Sequence, residues 1–442
     1  MAKKVLVVTH DFPPIGEAGS CLRVVKFLKY LHNSELEFMV LAPDREKSTS
    51  WTVQKSSSSV LMSDVPPGVK VFRTRKIKVP PGPDASELMN GAAGRTKRKM
   101  SLLELLKRLL KASRITSLLF PDKEVLWGLT AVPKGVAICL TASIDVVYAV
   151  GPPISSIFIG AIIAFLTRRK LISDFKDERI GTRDYALQPA LSKLLYRLSE
   201  AFIVWKSNKV IVVTQESLIN FTRRYTRYPD KFVMIRNGAD IDEIEYHLRN
   251  VEPSAVRKRT EKFVIFNAGG YSPGYRNAEN FFRAIGMVFR KHPVLRDSVE
   301  IRFLGQGVRD LYGDVIDADE NNLSPNIVEL PLLERHEYIQ QIKDSNLLIL
   351  IQTLGFKSSV AGTFYEYWAA GEAPILLLGE ESEMWHLLND FHLGVASPHN
   401  DVNNIAGSLE SMLLHPGSRE RGALCPDRKI LARQLENILV EL

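Results

Sequence analysis

Short aliphatic and β-branched runs alternate with helical stretches along this chain, and after Asn237-Gly238 the alternation begins again. In the first half, residues 5–9, 37–42, 144–150, 170–174 and 209–214 read as strands, and 23–31 places its apolar residues at helical spacing. In the second half, residues 263–267, 300–304, 327–330, 347–351 and 373–378 read as strands, with amphipathic stretches between them. Parallel neighbours need a crossover, usually a helix, so this rhythm predicts parallel sheets covered by helices on both faces. At 442 residues the chain also exceeds what one hydrophobic core accommodates. The expectation is an α/β chain of two Rossmann-like domains facing across a cleft, with ligands beyond the carboxyl ends of the strands. The first domain should occupy 1–235 and the second 236–425, with a C-terminal helix over 426–442 packing back on the first.

Composition narrows the function classes. Hydrophobic residues make up 45% and charged residues 24%, as in an ordinary globular protein. Three cysteines, Cys21, Cys139 and Cys425, are far apart and show no zinc or disulfide spacing, which fits a reducing cytoplasm. The histidines His336, His386, His392 and His399 show no metal-ligand spacing, so no metal is expected. The opening Val5-Leu6-Val7-Val8 run stops at Thr9-His10-Asp11 and reads as a strand rather than a signal peptide. The apolar run 154–166 is too short to cross a bilayer and reads as a buried helix. A net charge of +8 suits anionic lipid or phosphorylated substrates. Without a zinc finger, RNA-binding aromatic signature or helix-turn-helix pattern, nucleic acid is not expected as a partner.

An insertion near 78–119 breaks the rhythm. Pro80-Pro81-Gly82-Pro83 and Gly91-Ala92-Ala93-Gly94 read as a loop. Then Arg95, Lys97, Arg98, Lys99, Lys107, Arg108, Lys111 and Arg114 interleave with Leu102, Leu105, Leu106, Leu109 and Leu110 at helical spacing. Such a helix either lies on an anionic membrane surface or covers the domain with its charges solvated.

Three loops beyond strand ends carry the candidate chemistry. His10 to Ser20 contains Gly16 and Gly19, where a helix start could face a phosphate, although steric need alone also places glycine in such turns. Gly269-Gly270 and Arg276 follow the strand at 263–267, and a guanidinium suits a diphosphate; the rival is a surface arginine in a turn. Ser358 to Gly371 should hold a short helix over 361–370, its first amides pointing into the cleft, with Gly371 as its cap. Glu366, one turn in, could accept hydrogen bonds from ribose hydroxyls, or could close a Thr363-x-x-Glu366 capping box. His10 reads as a ligand contact or as structural, Asp177 as an acceptor group or a turn cap, and Gly305-Gln306-Gly307 as cleft edge or ordinary turn.

At these residues the chain resembles the retaining family 4 glycosyltransferases of the GT-B fold, in particular the bacterial polysaccharide and lipopolysaccharide enzymes. The segment His10-Asp11-Phe12-Pro13-Pro14-Ile15-Gly16 resembles their N-terminal glycine loop. Phe120-Pro121-Asp122 with Trp127, then Gly151-Pro152-Pro153-Ile154-Ser155-Ser156, resemble two subgroup segments. Asp174-Phe175-Lys176-Asp177, Ile235-Arg236-Asn237-Gly238-Ala239-Asp240 and Phe364 to Pro374 follow in the family's order.

The resemblance implies roles. Glu366 would bind the donor ribose, and Arg276 the diphosphate. Gly16, Gly19, Gly270, Ser359, Gly362 and Thr363 would line the donor side, and Leu333 would meet the base. Arg276, Glu366 and His10 are the catalytic candidates, and Pro153 and Asp177 face the acceptor. It further implies a UDP- or GDP-sugar as donor, a lipid-linked or polysaccharide acceptor, retention of configuration and no obligate cofactor. The place of action would be cytoplasmic, at the inner face of the membrane. The chain departs from the family pattern: Ser358 stands where many members carry glutamate, Thr363 where many carry lysine, and the second basic residue usual near the Gly269-Gly270 turn is absent. An epimerase or phosphorylase on the same scaffold, or a binding protein without catalysis, are the competing readings.

Overall fold

The computed structural model describes residues 2–14, 18–32, 34–44, 61–76, 120–250, 262–271, 274–305, 307–318, 322–422 and 424–442. The basic segment from Arg95 to Arg114 and the loop residue Gly16 lie outside them.

The first lobe is built on β1 (Lys3–Thr9), β2 (Leu36–Asp44), β3 (Lys70–Arg75), β4 (Val146–Gly151), β5 (Lys170–Phe175), β6 (Lys209–Val212) and β7 (Phe232–Met234). The second is built on β8 (Phe263–Asn267), β9 (Val299–Leu304), β10 (Ile327–Leu330), β11 (Leu347–Ile351), β12 (Ile375–Gly379) and β13 (Gly394–Pro398). Their orders are β3-β2-β1-β4-β5-β6-β7 and β10-β9-β8-β11-β12-β13. Every named strand pair is parallel. Each sheet reverses its direction of growth once, between β1 and β4 and between β8 and β11. Such switch points leave a crevice at the carboxyl ends of the strands.

The strands expected from the alternation are all present, with ends shifted by a residue or two. Three further strands, β3, β7 and β13, escape that reading. The first has only Thr74 fully buried, the second is three residues long, and the third carries Gly394 and Pro398. Each sits at or near a sheet edge, where only part of the strand needs to be apolar. Central strands behave oppositely: all residues of β4, β11 and β12 are buried, because helices cover both faces.

The apolar run at 154–166 forms the helix Ile154–Thr167, packed flat on the sheet. A Cβ on Gly160 would come within 2.4 Å of the Ala149 Cβ, so glycine there sets the distance between helix and sheet. Among the described residues, Glu124–Thr141 is the stretch long and apolar enough to cross a membrane. Its Trp127, Ala131, Ile138 and Cys139 are packed into the core of the first lobe.

The crossover between lobes is pinned from below. Arg23, on the helix Ala18–Leu31, donates from Nε to Asp174 at 2.8 Å and from its other nitrogens to the carbonyls of Ile235 (3.0 Å) and Arg236 (2.7 Å). Gly238 has φ +61°, and a side chain there would meet the Pro426 carbonyl at 2.4 Å, which accounts for the Asn-Gly step. The helix Arg428–Glu441 returns to the first lobe, placing Leu431, Leu435 and Leu439 beside Val24, Val25 and Leu28.

Candidate active site

A cavity of about 450 Å³ opens at the carboxyl ends of β4, β5 and β11, lined by both lobes. Pro153, Asp177 and Arg179 come from the first lobe, and Thr353, Phe356 and Ser359 from the second. Local chemistry builds its walls. Asp122 accepts from the Glu124 amide at 2.9 Å, starting a turn that buries Trp127. The same carboxylate takes the Ser155 amide (2.9 Å) and hydroxyl (2.5 Å), fixing the start of the helix behind Pro153. The Trp127 indole donates to Thr74 at 2.8 Å. Thus two segments singled out by their resemblance, Phe120 to Trp127 and Gly151 to Ser156, act together as one wall.

Across the cavity, the Ser359 hydroxyl donates to Asp177 at 3.2 Å. Asp177 does not cap the next turn; Thr182 does, accepting from the Tyr185 amide. Arg276 reaches the cavity edge by donating Nε to Thr353 at 2.6 Å. Burial lowers its pKa, with no neighbouring carboxylate among the described residues opposing that shift. Gly270 has open space where a side chain would project, so packing does not demand glycine there.

The short helix runs over Gly362–Ala370, with Ala361 as its N-cap and Gly371 as its C-cap. The N-cap is Ala361 and not Thr363, so the Thr363–Glu366 capping box does not form. Gly362 likewise has open space around it. Glu366 instead accepts from Arg335 at 2.7 Å and from the Tyr338 hydroxyl at 2.7 Å. Arg335 also reaches Glu243 (3.2 Å), which meets Lys26 of the first lobe at 3.4 Å. Burial alone would lower the pKa of Arg335, but Glu366 and Glu243 outweigh it and hold the cation. Leu333 lies just before the helix Arg335–Asp344, half-buried against the core of the second lobe.

His10 is buried at the end of β1, with Nδ1 3.1 Å from Asp11 and Nε2 3.2 Å from Glu124. Burial favours the neutral ring, but hydrogen bonds to both carboxylates prevail and raise its pKa. Glu124 also pairs with Lys76; against the penalty of burial, these partners pull its pKa down to about 2. The structure therefore gathers Pro153, Asp177, Ser359 and, through Thr353, Arg276 around one cavity. His10 and Glu366 are held in ionic clusters outside its lining, and Gly19 sits in the first turn of the Ala18–Leu31 helix.

No family model matches the sequence, and no curated protein matches it. Solved structures do match. Sucrose-phosphate synthase from Thermosynechococcus elongatus aligns with a TM-score of 0.61 at 12% identity, over 99% of this chain and 98% of that one. HepE of Anabaena, in complex with UDP and glucose, gives 0.61 at 15% identity over 100% of both chains. UDP-GlcNAc 2-epimerase from Methanocaldococcus jannaschii gives 0.59 at 10% identity, over 99% of this chain and 100% of that one. The fold is GT-B.

Several contacts across the GT-B cleft carry no signal in the sequence. Arg183 donates its amide to the Gly355 carbonyl (3.1 Å) and its guanidinium to the Gly274 carbonyl (2.8 Å). Thr214 donates to the carbonyl of Ser358 at 2.9 Å. Glu383, from the second lobe, accepts the amides of Gln215 and Glu216 at 3.1 Å each and pairs with Arg236 at 2.9 Å. It thereby caps the first-lobe helix Gln215–Arg224 from the opposite side of the cleft. The position where the resemblance expects a glutamate, Ser358, thus serves as a backbone acceptor between lobes.

Proposed function

We propose that this chain is a nucleotide-sugar-dependent glycosyltransferase, moving a sugar from a nucleoside-diphosphate donor to a hydroxyl of a lipid-linked or polysaccharide acceptor. One observation carries the reading: Ser359, three residues before the Gly362–Ala370 helix with its alanine N-cap, and Thr353, which accepts from Arg276, line the same interlobe cavity. Unmet helix amides and a guanidinium are the groups that bind a diphosphate and stabilise the charge it gains as the sugar leaves.

On this reading Gly270, Ser359, Gly362 and Thr363 line the donor phosphates, with Gly16 and Gly19 approaching from the first lobe. Leu333 contacts the base. Glu366 holds the ribose: Arg335 and Tyr338 fix its carboxylate, and each oxygen keeps a further lone pair for a sugar hydroxyl. Pro153 and Asp177 face the acceptor. The sugar keeps its anomeric configuration, with the leaving diphosphate taking the acceptor proton, and the proposal assigns no role to a metal. His10, clamped between Asp11 and Glu124, supports the end of β1 beside the first glycine loop. The reaction is placed in the cytoplasm at the inner membrane face, where the basic residues from Arg95 to Arg114 would meet anionic lipid.

Because HepE is described in complex with UDP-glucose, a uridine nucleotide is the first ligand to test. Bound at a hundred times its Kd, it should stabilise the fold by about 2.7 kcal/mol. No thermal shift with any nucleoside diphosphate would sink the proposal. The epimerase on the same fold supplies the rival: inversion at C2 of the donor sugar, without transfer, would favour it. Glu366→Gln keeps a partner for Arg335 and Tyr338 and should raise the donor KM while leaving Tm near that of the parent. Undiminished transfer by that variant would reject the ribose role.

A further inference from the structure

The helix Ala190–Lys206 buries Tyr196, Ser199, Ile203 and Val204 against the first lobe. A surface helix ordinarily turns polar residues outward on the opposite side. Here that side is apolar. Leu187, just before the helix, is 74% exposed, and Leu191, Leu194, Leu198 and Trp205 are 55%, 54%, 57% and 51% exposed. Within the helix, Leu191, Leu194, Leu198, Phe202 and Trp205 are separated by steps of three or four, which puts them in one stripe, and Leu187 precedes it in the chain. Phe165 and Leu166, at the end of the neighbouring Ile154–Thr167 helix, widen it, and the Phe165, Phe202 and Trp205 rings lie about 6 Å apart.

The charges around this stripe are mostly basic, with Asp230 an exposed acid beside Lys231. Lys193 and Arg197 stand on the helix, and Arg168, Lys170, Lys206 and Lys231 gather at its carboxyl end. Lys206 donates to the Arg169 carbonyl at 2.9 Å, and Lys231 to the carbonyls of Val204 (3.0 Å) and Trp205 (2.8 Å), so both ammonium groups are held at that end. Burial and the nearby Lys170 depress the pKa of Lys206, as expected where cations crowd. The acids on this stretch face elsewhere: Glu200 is buried on Arg224 (2.7 Å) and Tyr225 (2.8 Å), and Asp184 accepts from Tyr275 of the second lobe.

An exposed apolar stripe of this length marks an interaction surface. Lysine and arginine flanks with a tryptophan at the edge match an interface of acyl chains and anionic headgroups, where the charged tips stay in the headgroup layer. We propose that this face docks the first lobe onto an anionic lipid bilayer, with the Ala190–Lys206 helix lying in the plane of the interface. The proposal is independent of the donor chemistry and of the basic segment from Arg95 to Arg114. It has a consequence for the cleft: Tyr196, on the buried face of the same helix, lines the interlobe cavity, so docking would hold the cavity one helix diameter, roughly 10 Å, from the lipid surface.

The test uses the full chain with vesicles of phosphatidylglycerol and phosphatidylcholine, and with phosphatidylcholine alone. The parent should cosediment with the anionic vesicles, and Leu191→Ser/Leu194→Ser/Leu198→Ser should lower the partition coefficient roughly tenfold or more, since one inserted leucine alone contributes about that factor. Brominated acyl chains should quench the parent's tryptophan fluorescence, and Trp205→Phe should remove most of that quenching. Because the leucines are exposed, Tm and any nucleotide-induced shift should match the parent. Equal partition of parent and triple variant, or a parent that binds neither vesicle, would overturn the proposal. A parent dimer that the triple substitution converts to monomer without any vesicle binding would overturn it too, assigning the stripe to a second copy.

Discussion

Two helices of the second lobe begin in the same kind of place and end up with opposite properties. The helix Val308–Ile316 follows β9 through Gly305 and Gly307, and Gly362–Ala370 follows β11 through the Thr353–Ala361 loop. At the first, Glu329 reaches over from β10 and accepts the amides of Gly307 (3.2 Å), Val308 (2.6 Å) and Arg309 (3.1 Å). At the second, the N-cap is an alanine, and among the described residues no side chain accepts from the first turn. One helix end is saturated by the protein's own carboxylate, while the other keeps amides that must find water or a ligand. A glycine-rich turn after a strand shows where backbone can approach a ligand. Whether the amides are free to bind depends on a residue from another strand.

That contrast can be broken most severely at Arg276, the cation beside the open end. Arg276→Ala should reduce kcat by a hundredfold to a thousandfold, about 2.7–4 kcal/mol of lost charge stabilisation. A wild-type rate would remove the diphosphate from this part of the cleft. Next, Ala361→Asp would give the open helix the kind of partner that Glu329 gives the closed one. It should stabilise the fold by about 0.5–2 kcal/mol as an N-cap, yet cancel the stabilisation of about 2.7 kcal/mol expected from saturating UDP. If UDP protects this variant as well as the parent, the open amides are not the phosphate site. The reverse experiment empties the closed end: Glu329→Ala should cost about 1–3 kcal/mol of stability by stranding three amides, with the UDP response unchanged. A weakened UDP response at equal Tm would mean that the Val308–Ile316 helix belongs to the donor site after all.

The same contrast shows why some of the molecule was readable and some was not. Central strands such as β8 and β11 were legible to the residue, because a buried parallel strand must be a nearly continuous apolar run. Edge strands β3, β7 and β13 were not, since pairing on one side leaves their composition free. Of the site, residues whose place follows from strand ends were legible: Pro153 after β4, Asp177 after β5 and Ser359 after β11 all reach one cavity. Residues whose role depends on partners distant in sequence were not. Glu366 could be read as a cap, but its partners, Arg335 and Tyr338, lie on another helix. Glu383 looked like an ordinary acidic helix start, and only the fold reveals that it caps a helix of the other lobe.

Ser359 gives the finest test of the comparison, because it stands between the open helix end and the first lobe. Its hydroxyl donates to Asp177 at 3.2 Å, beyond the usual range for a hydroxyl–carboxylate bond, on a solvent-accessible side. Losing that contact should leave Tm within about 0.5 kcal/mol of parent stability, as for most surface substitutions. If the hydroxyl instead turns to the donor phosphate when nucleotide binds, Ser359→Ala should weaken UDP about twofold to tenfold, the net worth of one hydrogen bond. Calorimetric titration of UDP, set against the acceptor KM, separates the two sides of the cleft. Weaker UDP with an unchanged acceptor KM assigns Ser359 to the helix end. An unchanged UDP affinity with a raised acceptor KM assigns it to Asp177, leaving the phosphates to the backbone amides and Arg276.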